Sequence, residues 1–241
     1  MHFGLIGKSL IHSFSKNYFT DKFREAKLSH DYENCELESI SEVPALLAQK
    51  DWRGFNVTIP YKEQILDYLD VLSPAVQSIG AANVILIHQQ KLHAYNTDYL
   101  GFRKDLQEFL SAERPHKALV LGSGGASKAV VYALQQMGID PQLVGRKANA
   151  HKWDYQQASR ELAHFPLVIN CSPLGTAPNL EVMPPLKQHG DLSGHFFYDL
   201  IYNPAETRLL KEARLAGAKT RNGKQMLILQ AEASWDIWSK P

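Results

Sequence analysis

Short hydrophobic runs alternate with longer amphipathic stretches along the whole chain. Compact apolar runs are typical of buried strands, and apolar residues spaced three and four apart are typical of helices. Strands are predicted at residues 4–7, 31–37, 55–58, 84–88, 92–95, 118–121, 142–144, 167–170 and 196–200. Helices are predicted at residues 16–28, 42–49, 99–110, 155–164, 206–216 and 224–238, and in a segment that ends at 137. This alternation predicts an α/β fold with mainly parallel strands.

A polar break around Pro115 separates two such series of elements. A chain of 241 residues is long enough for two domains of ordinary size. We therefore expect two α/β domains, with the boundary near residues 98–116. The pattern alone leaves open which of the two domains holds the last helix.

Composition narrows the class of protein. The chain is 44% hydrophobic and carries a formal net charge of +1, so it has no general field that would attract nucleic acid or an anionic membrane. The start of the chain has no basic flank typical of a signal peptide, and no apolar run has the length of a membrane span. Cys35 and Cys171 lack metal-ligand spacing, so no metal is expected. A cytoplasmic location is predicted by default.

A glycine-rich turn joins the predicted strand at 118–121 to the helix that follows. Dinucleotide-binding proteins use this order, because glycines let the backbone approach a pyrophosphate and the helix N-terminus attracts its charge. Gly122, Gly124 and Gly125 occupy the turn, while Ser127 stands where the usual pattern has a third glycine. Nucleotide binding is favoured over a purely structural turn.

The strand after the glycine turn ends in Gly145, Arg146 and Lys147. NAD-dependent enzymes place an acidic residue at this point for the ribose 2′-hydroxyl. Two cations suit a 2′-phosphate instead, which favours NADP over NAD. The alternative is a solvated basic turn.

Two further segments carry candidate chemistry for ketone reduction, which needs a proton donor beside the developing alkoxide. Pro60 is expected in the first turn of a helix that follows strand 55–58, with Lys62 in the same turn. Asp98 lies at another strand-to-helix junction. Each has a plain alternative, since Lys62 could be a solvated lysine and Asp98 only a helix N-cap. If the two strand ends are neighbours, they could form a proton-transferring dyad.

Ser13 and Ser15 lie two residues apart just after the first predicted strand. In an extended segment their hydroxyls would point the same way and could bind a carboxylate. The alternative is that Ser15 is an ordinary helix N-cap. The neighbouring His12 is expected to be a packed or turn-supporting residue rather than a catalytic one.

Taken together, these segments resemble the shikimate dehydrogenase family over nearly the whole chain. The shared motifs, in family order, are Gly7 with residues 12–15, residues 56–63, residues 79–83, residues 96–98 with Gly101 and Phe102, residues 122–126, residues 170–175, residues 199–204, and Asn222 and Gly223 with Met226, Leu227, Gln230 and Ala231. The chain departs from the family where Gly145-Arg146-Lys147 replaces Asn-Arg-Thr.

The resemblance implies a substrate domain of residues 1–98 plus 223–241 and an NADP-binding domain of residues 99–222, with a cleft between them. The second domain would be a Rossmann-type doubly wound parallel sheet. Lys62 and Asp98 would be the catalytic pair. The implied substrate contacts are Ser13, Ser15, Thr58, Asn83, Asp98, Tyr202 and Gln230. The implied cofactor contacts are Gly122, Gly124, Gly125, Ala126, Gly145, Arg146, Lys147, Leu200 and Gly223.

The implied reaction is the NADPH-dependent reduction of 3-dehydroshikimate to shikimate, in aromatic amino acid biosynthesis. Alternatives are a relative that acts on quinate or aminoshikimate or that uses NAD, a non-catalytic shikimate-binding regulatory module, and a methyltransferase, against which Arg146 and Lys147 count. The expected partners are the small-molecule substrate and NADP, with no nucleic acid or membrane. A monomer or a homodimer is expected.

Overall fold

The structure, a computed structural model, describes residues 1–11, 13–187 and 190–239. It divides into two compact units. The first unit consists of Met1–Thr97 with Ala231–Pro241, and the second unit is Asp98–Gln230. His12, a residue of one sequence motif, lies outside the described part of the chain.

The first unit is built on a six-stranded sheet with the strand order β2-β1-β3-β5-β6-β4. Its elements are β1 (His2–Gly7), α1 (Phe14–Glu25), β2 (Asp31–Glu36), a 3₁₀ turn (Ile40–Glu42), α2 (Val43–Leu47), β3 (Trp52–Val57), a second 3₁₀ turn (Gln64–Tyr68), β4 (Val71–Leu72), α3 (Pro74–Ile79), β5 (Val84–His88) and β6 (Lys91–Tyr95). β1 pairs in parallel with β2 and β3, whereas β5 pairs antiparallel with both β3 and β6. This sheet is therefore mixed, but β5 alone opposes the other five strands, so the expectation of mainly parallel strands is confirmed for it as well.

The antiparallel part of this sheet follows from a tight hairpin. Gln89 and Gln90 both adopt positive φ, 50° and 60°, between β5 and β6. Positive φ at both central residues gives a turn whose twist matches that of the strands it joins. The predicted pair of strands at 84–88 and 92–95 is confirmed.

The second unit is a six-stranded sheet with the order β12-β11-β10-β7-β8-β9 and only parallel pairs. Its elements are α4 (Asp98–Leu110), β7 (Lys117–Leu121), α5 (Gly125–Gln136), β8 (Asp140–Gly145), β9 (Trp153–Asp154), α6 (Tyr155–Glu161), a 3₁₀ turn (Leu162–His164), β10 (Leu167–Asn170), β11 (Phe196–Asp199), α7 (Arg208–Leu215), β12 (Lys219–Asn222) and α8 (Lys224–Trp238), which continues into the first unit. The predicted Rossmann-type doubly wound sheet is confirmed.

The hydrophobic run of β7 explains why helices cover both faces of this sheet. Its side chains alternate: Val120 packs in a cluster with residues of α4 and α5, and Leu119 packs in a cluster with residues of α6 and α7. Leu119 and Val120 are both fully buried. A strand that buries both faces reads as a continuous apolar run, which is why the sequence identified it.

One predicted element is wrong. The segment after β3 was expected to enter an α-helix with Pro60 and Lys62 in its first turn. Instead, the N–H of Tyr61 donates to the carbonyl of Thr58 at 2.9 Å, and the chain passes through turns into the short 3₁₀ segment Gln64–Tyr68. The chain bends immediately after the strand, so no regular α-helical hydrogen-bond series develops there.

The sequence also missed four elements: β4, α3, β9 and β12. β4 and β9 contain two residues each, and β12 is polar throughout (Lys219–Asn222), so none gives a hydrophobic pattern. Among the described residues, no helix combines the length and the apolar character needed to span a membrane.

Candidate functional site

Several predicted site residues lie at one edge of the first unit's sheet. β1 and β3 are parallel, so their carboxyl ends share an edge, and Thr58 follows β3 directly. β5 runs the opposite way, so its first residue, preceded by Asn83, lies at the same edge. β6 ends there at Tyr95, and Thr97 follows. The carboxyl ends of strands are where α/β folds commonly bind ligands.

The position of Lys62 is set by the backbone and by its neighbour. Its carbonyl accepts a hydrogen bond from the N–H of Ala82 at 2.8 Å, directly before Asn83. Tyr61 is buried, and its hydroxyl donates to the carbonyl of Leu37 at 2.6 Å. Lys62 itself is half-buried. The turn that carries it is therefore anchored to the sheet on both sides although it is not an α-helix.

Asn83 directs its side-chain amide at Thr97. Its Nδ2 donates to the Thr97 hydroxyl at 2.9 Å, and its Oδ1 accepts from the Thr97 backbone N–H at 2.6 Å. Both residues are buried. Because Thr97 directly precedes Asp98, this pair fixes the backbone at the start of α4. Thr97 belongs to the shared motif of residues 96–98, but no role is predicted for it from the sequence.

The two serines near the start of the chain do not form an extended pair. Ser13 is the N-cap of α1, and its hydroxyl accepts from the N–H of Lys16 at 3.3 Å. Ser15 lies inside the first turn of the helix. The expectation of two hydroxyls aligned by strand geometry is wrong, and so is the alternative that made Ser15 the cap, because the helix begins two residues earlier. Both side chains are half-buried.

In the second unit, the glycine turn lies at the switch point of the doubly wound sheet, between β7 and β10. Gly122 has a φ of +106°, and a Cβ there would lie 3.1 Å from the backbone nitrogen of Ser172. Gly124 precedes α5, and a Cβ there would meet nothing within 4 Å. The first amides of a helix have no intrahelical partner, so Gly125 and Ala126 present N–H groups at an open turn. This turn suits a pyrophosphate.

The candidate cations follow the next strand. Gly145 ends β8 and is buried, whereas Arg146 and Lys147 are exposed. β7 and β8 are adjacent and parallel, so the glycine turn and the two cations lie at the same edge of the sheet. Burial raises the pKa of the nearby Tyr155, and the charge of Arg146 partly offsets that rise.

The ends of β11 and β12 meet at the same edge. Gly223 is buried, and a Cβ at this position would lie 2.1 Å from the carbonyl oxygen of Leu200, so only glycine fits. Leu200 is itself fixed through a 3.0 Å hydrogen bond from its N–H to the carbonyl of Asn170. Tyr202, two residues beyond Leu200, is 38% exposed.

The carboxylate of Asp199, which lies in the shared motif of residues 199–204 but has no role predicted from the sequence, organises this loop. Asp199 accepts from the Asn170 amide at 3.0 Å, from the Ile201 N–H at 3.0 Å and from the Thr207 hydroxyl at 2.7 Å. It is fully buried, and desolvation raises its pKa to about 6 despite these hydrogen bonds. Asp199 thus fixes both ends of the segment that carries Leu200 and Tyr202.

Asp98 and Gln230 both lie in helices and are largely buried. Asp98 is the first residue of α4 and is 9% exposed. Gln230 is 8% exposed in α8, and its amide donates to the carbonyl of Leu227 at 3.0 Å. The boundary between the two units falls directly after Gln230.

One group of side chains has metal-ligand geometry. His2, Asp31 and Glu33 bring one ligand atom each within 4.8 Å of one another. The group is partly exposed, and Lys50 forms a 2.5 Å ion pair with Glu33. This ammonium already neutralises one of the carboxylates, so the group supports no metal site.

Comparison with known proteins identifies the family. Residues 5–85 match the model of the shikimate dehydrogenase substrate binding domain. The chain is 35% identical to a shikimate dehydrogenase (NADP(+)) of Clostridium botulinum, over 98% of this chain and 95% of that protein. It is similar to the crystal structure of shikimate dehydrogenase 1 from Peptoclostridium difficile, with 34% identity, a TM-score of 0.83, and coverage of 98% and 90% of the two chains.

A third relative has been solved with ligands. The shikimate 5-dehydrogenase of Thermus thermophilus in complex with NADP(H) and shikimate is 28% identical, with a TM-score of 0.81 and coverage of 99% of this chain and 93% of that one. The resemblance inferred from the sequence motifs is confirmed: this chain belongs to the shikimate dehydrogenase family.

Proposed function

We propose that this protein is an NADP-dependent shikimate dehydrogenase, an oxidoreductase that reduces 3-dehydroshikimate to shikimate in aromatic amino acid biosynthesis. The observation that carries the proposal is the match to an NADP-dependent shikimate dehydrogenase over 98% of the chain. The cation pair Arg146 and Lys147, placed where a 2′-phosphate would be held, supports the choice of cofactor.

The second unit would hold NADP. The open turn of Gly122, Gly124, Gly125 and Ala126 suits the pyrophosphate, and Gly145, Arg146 and Lys147 suit the adenosine end. Leu200 and Gly223 would line the nicotinamide end. The absence of a side chain at Gly223 lets the backbone of Leu200 pack directly against it. When bound, the reduced nicotinamide supplies the hydride that reduces the ketone.

The first unit supplies the proton in this proposal. The Lys62 ammonium donates it to the carbonyl oxygen as negative charge develops there, and the Asp98 carboxylate balances and orients the ammonium. The residues proposed to bind the substrate hydroxyls and carboxylate are Ser13, Ser15, Thr58, Asn83, Asp98, Tyr202 and Gln230. Asn83 also bonds Thr97 through both ends of its amide, so it would hold the Thr97–Asp98 backbone in addition to contacting the substrate.

The first test is the turnover of Lys62→Ala, followed by the absorbance of NADPH. General acid catalysis contributes about 10²–10⁴ in rate, so we expect a loss of that size with substrate binding retained in a separate titration. Lys91→Ala, an exposed lysine of β6, is the matched control and should keep full activity. A loss for Lys62→Ala smaller than about tenfold would contradict the assignment.

The range of substrates needs a second measurement. Quinate differs from shikimate by water added across the ring double bond, and aminoshikimate carries an amino group in place of a hydroxyl. Discrimination between such similar ligands depends on the placement of individual hydrogen bonds. Initial rates with shikimate and quinate, each against NADP and NAD, separate these alternatives. No turnover with any pair, together with retained shikimate binding, would favour a regulatory module. A cytoplasmic location and a monomeric or homodimeric state remain predictions.

A further inference from the structure

The side chain of Lys152 lies against the end of β8, a contact that the sequence pattern does not predict. An ideal Cβ on Gly145 would lie 2.8 Å from Cδ, 3.0 Å from Cε and 3.1 Å from Nζ of Lys152. The lysine side chain therefore occupies the space that a side chain at position 145 would fill. Gly145 is buried and Lys152 is half-buried as a result.

The loop between β8 and β9 holds Lys152 there through its backbone. Asn149 and Lys152 form an antiparallel bridge, with the Asn149 N–H donating to the Lys152 carbonyl at 2.8 Å. Immediately afterwards, Trp153 pairs with Val144 in the parallel β9–β8 ladder. Asp154 then caps α6 by accepting from the N–H of Gln157 at 2.8 Å. The backbone at position 152 is thus fixed from both sides.

The ammonium of Lys152 has no counterion in the part of the chain that the structure describes. Across residues 1–11, 13–187 and 190–239, no carboxylate forms an ion pair with the Lys152 ammonium. A half-buried ammonium without an internal counterion favours an anion that arrives from outside. The cations Arg146 and Lys147 directly follow Gly145, the residue that the Lys152 side chain covers.

We propose that Lys152 is a third cation of the adenosine 2′-phosphate subsite and a determinant of the preference for NADP over NAD, an inference that rests on the proposed function. It also explains why glycine stands at position 145, where the family commonly has asparagine: a larger side chain would occupy the place of the lysine. The chain exchanges a polar side chain at the strand end for an ammonium that reaches the same place from position 152.

Equilibrium binding of two small probes to the full-length protein tests this proposal directly. Adenosine 2′,5′-bisphosphate carries the 2′-phosphate, and adenosine 5′-monophosphate lacks it. In calorimetric titrations, Lys152→Ala should weaken binding of the bisphosphate by roughly 10- to 100-fold, the usual range for a lost hydrogen bond to a charged group, and leave the monophosphate within about twofold. Lys152→Arg should restore most of the bisphosphate affinity.

A second variant displaces the lysine without removing its charge. In Gly145→Ala the new Cβ would meet the flexible end of Lys152, which can move aside, so the protein should fold while losing affinity for the bisphosphate selectively. Lys211→Ala, an exposed lysine of α7, is the control and should change neither affinity. A thermal melt of each variant serves as the control that the variant is folded.

The outcomes separate the two proposals. If the wild-type protein prefers the bisphosphate and Lys152→Ala leaves that preference unchanged, the role of Lys152 is refuted and the proposed function stands. If Lys152→Ala weakens binding of the bisphosphate and of the monophosphate equally, the role of Lys152 in 2′-phosphate recognition is also refuted, because a purely structural role predicts that result. If the wild-type protein binds neither probe and turns over no substrate with NADP, both proposals are overturned.

Discussion

The two units bury polar groups in different ways. The first unit buries a network of neutral side chains around Asn56, Asn83 and Thr97, whereas the second unit buries charged groups, Asp105 with Arg221 and, separately, Asp199. Both kinds of interior position residues of the candidate site. They differ in what holds them together and therefore in how they respond to substitution and to pH.

In the first unit, amides and hydroxyls satisfy one another. Tyr32 donates to Asn56 Oδ1 at 2.7 Å, and Asn56 Nδ2 donates to the hydroxyl of Ser234 at 3.1 Å. The hydroxyls of Ser234 and Thr97 lie 3.1 Å apart, and Thr97 continues the network to Asn83. None of these groups changes its charge near neutral pH, since burial raises the pKa of the Tyr32 hydroxyl still further above its usual value.

In the second unit, one helix carboxylate joins α4 to two strands. Asp105 is fully buried and accepts from the Tyr198 hydroxyl at 2.5 Å and from Arg221 Nη2 at 2.5 Å. Arg221 lies in the polar edge strand β12, so this ion pair ties that strand to the core. A buried charge costs little while its partner remains and a great deal once the partner is lost. The interior of the second unit is therefore more vulnerable to single substitutions than the interior of the first.

The largest expected effect is therefore at Arg221. Arg221→Met leaves the Asp105 carboxylate buried without its cation, and we expect the free energy of unfolding to fall by about 3–5 kcal/mol in urea titrations. Arg214→Met is the control, because it removes an arginine whose ion pair with Glu206 is exposed, and it should have no measurable effect. Equal effects of the two substitutions would remove the distinction between the interiors.

A smaller effect is expected from the ionisation of Asp199. Its pKa of about 6 in the folded state lies above the ordinary 3.8, so the folded protein binds the proton more tightly than the unfolded chain does. Its contribution is thus lost as the pH rises from about 4 to about 7, by roughly 3 kcal/mol at most. Urea titrations over that range should show Asp199→Asn gaining stability relative to wild type as the pH increases.

Asp191 provides the control of opposite sign. Hydrogen bonds from Ser193 lower the pKa of this exposed carboxyl, so its contribution is lost as the pH falls. Asp191→Asn should therefore lose stability relative to wild type as the pH rises. If the difference in the free energy of unfolding between Asp199→Asn and wild type does not change with pH, burial of Asp199 does not disfavour its charged form.

The smallest effect belongs to the neutral network. Thr97→Val removes the hydroxyl that accepts from Asn83 Nδ2, and a buried donor left unsatisfied costs about 1–3 kcal/mol. Asn83 and Ser234, whose side chains bond Thr97, do not titrate, so the loss should be the same from about pH 5 to about pH 8. Thr20→Val, at an exposed position of α1, is the control and should change little. A pH-dependent loss for Thr97→Val would contradict the neutral character of this interior.

Hydrophobic patterning predicted the second unit better than the first. The run ending at Leu121 and the strand at 167–170 were located correctly because strands buried on both faces are apolar throughout. The chemistry around Lys62 was assigned to an α-helix that is absent, since a strand followed by proline is compatible with either a helix or a turn. β12 was not predicted because its residues are polar, and the ion pair of Arg221 with Asp105 that holds the strand joins residues distant in sequence.

The sequence by itself determined the family, the two α/β series and the glycine turn with its two cations, because these depend on local periodicity and on motifs in a fixed order. Only the tertiary structure decided that Ser13 caps a helix, that Asp199 is buried with a raised pKa, and that Lys152 fills the space above Gly145. Each of these features depends on which residues, far apart in the sequence, pack against one another in the fold. Burial and hydrogen bonding between such residues set the energies, and neither can be deduced from neighbours along the chain.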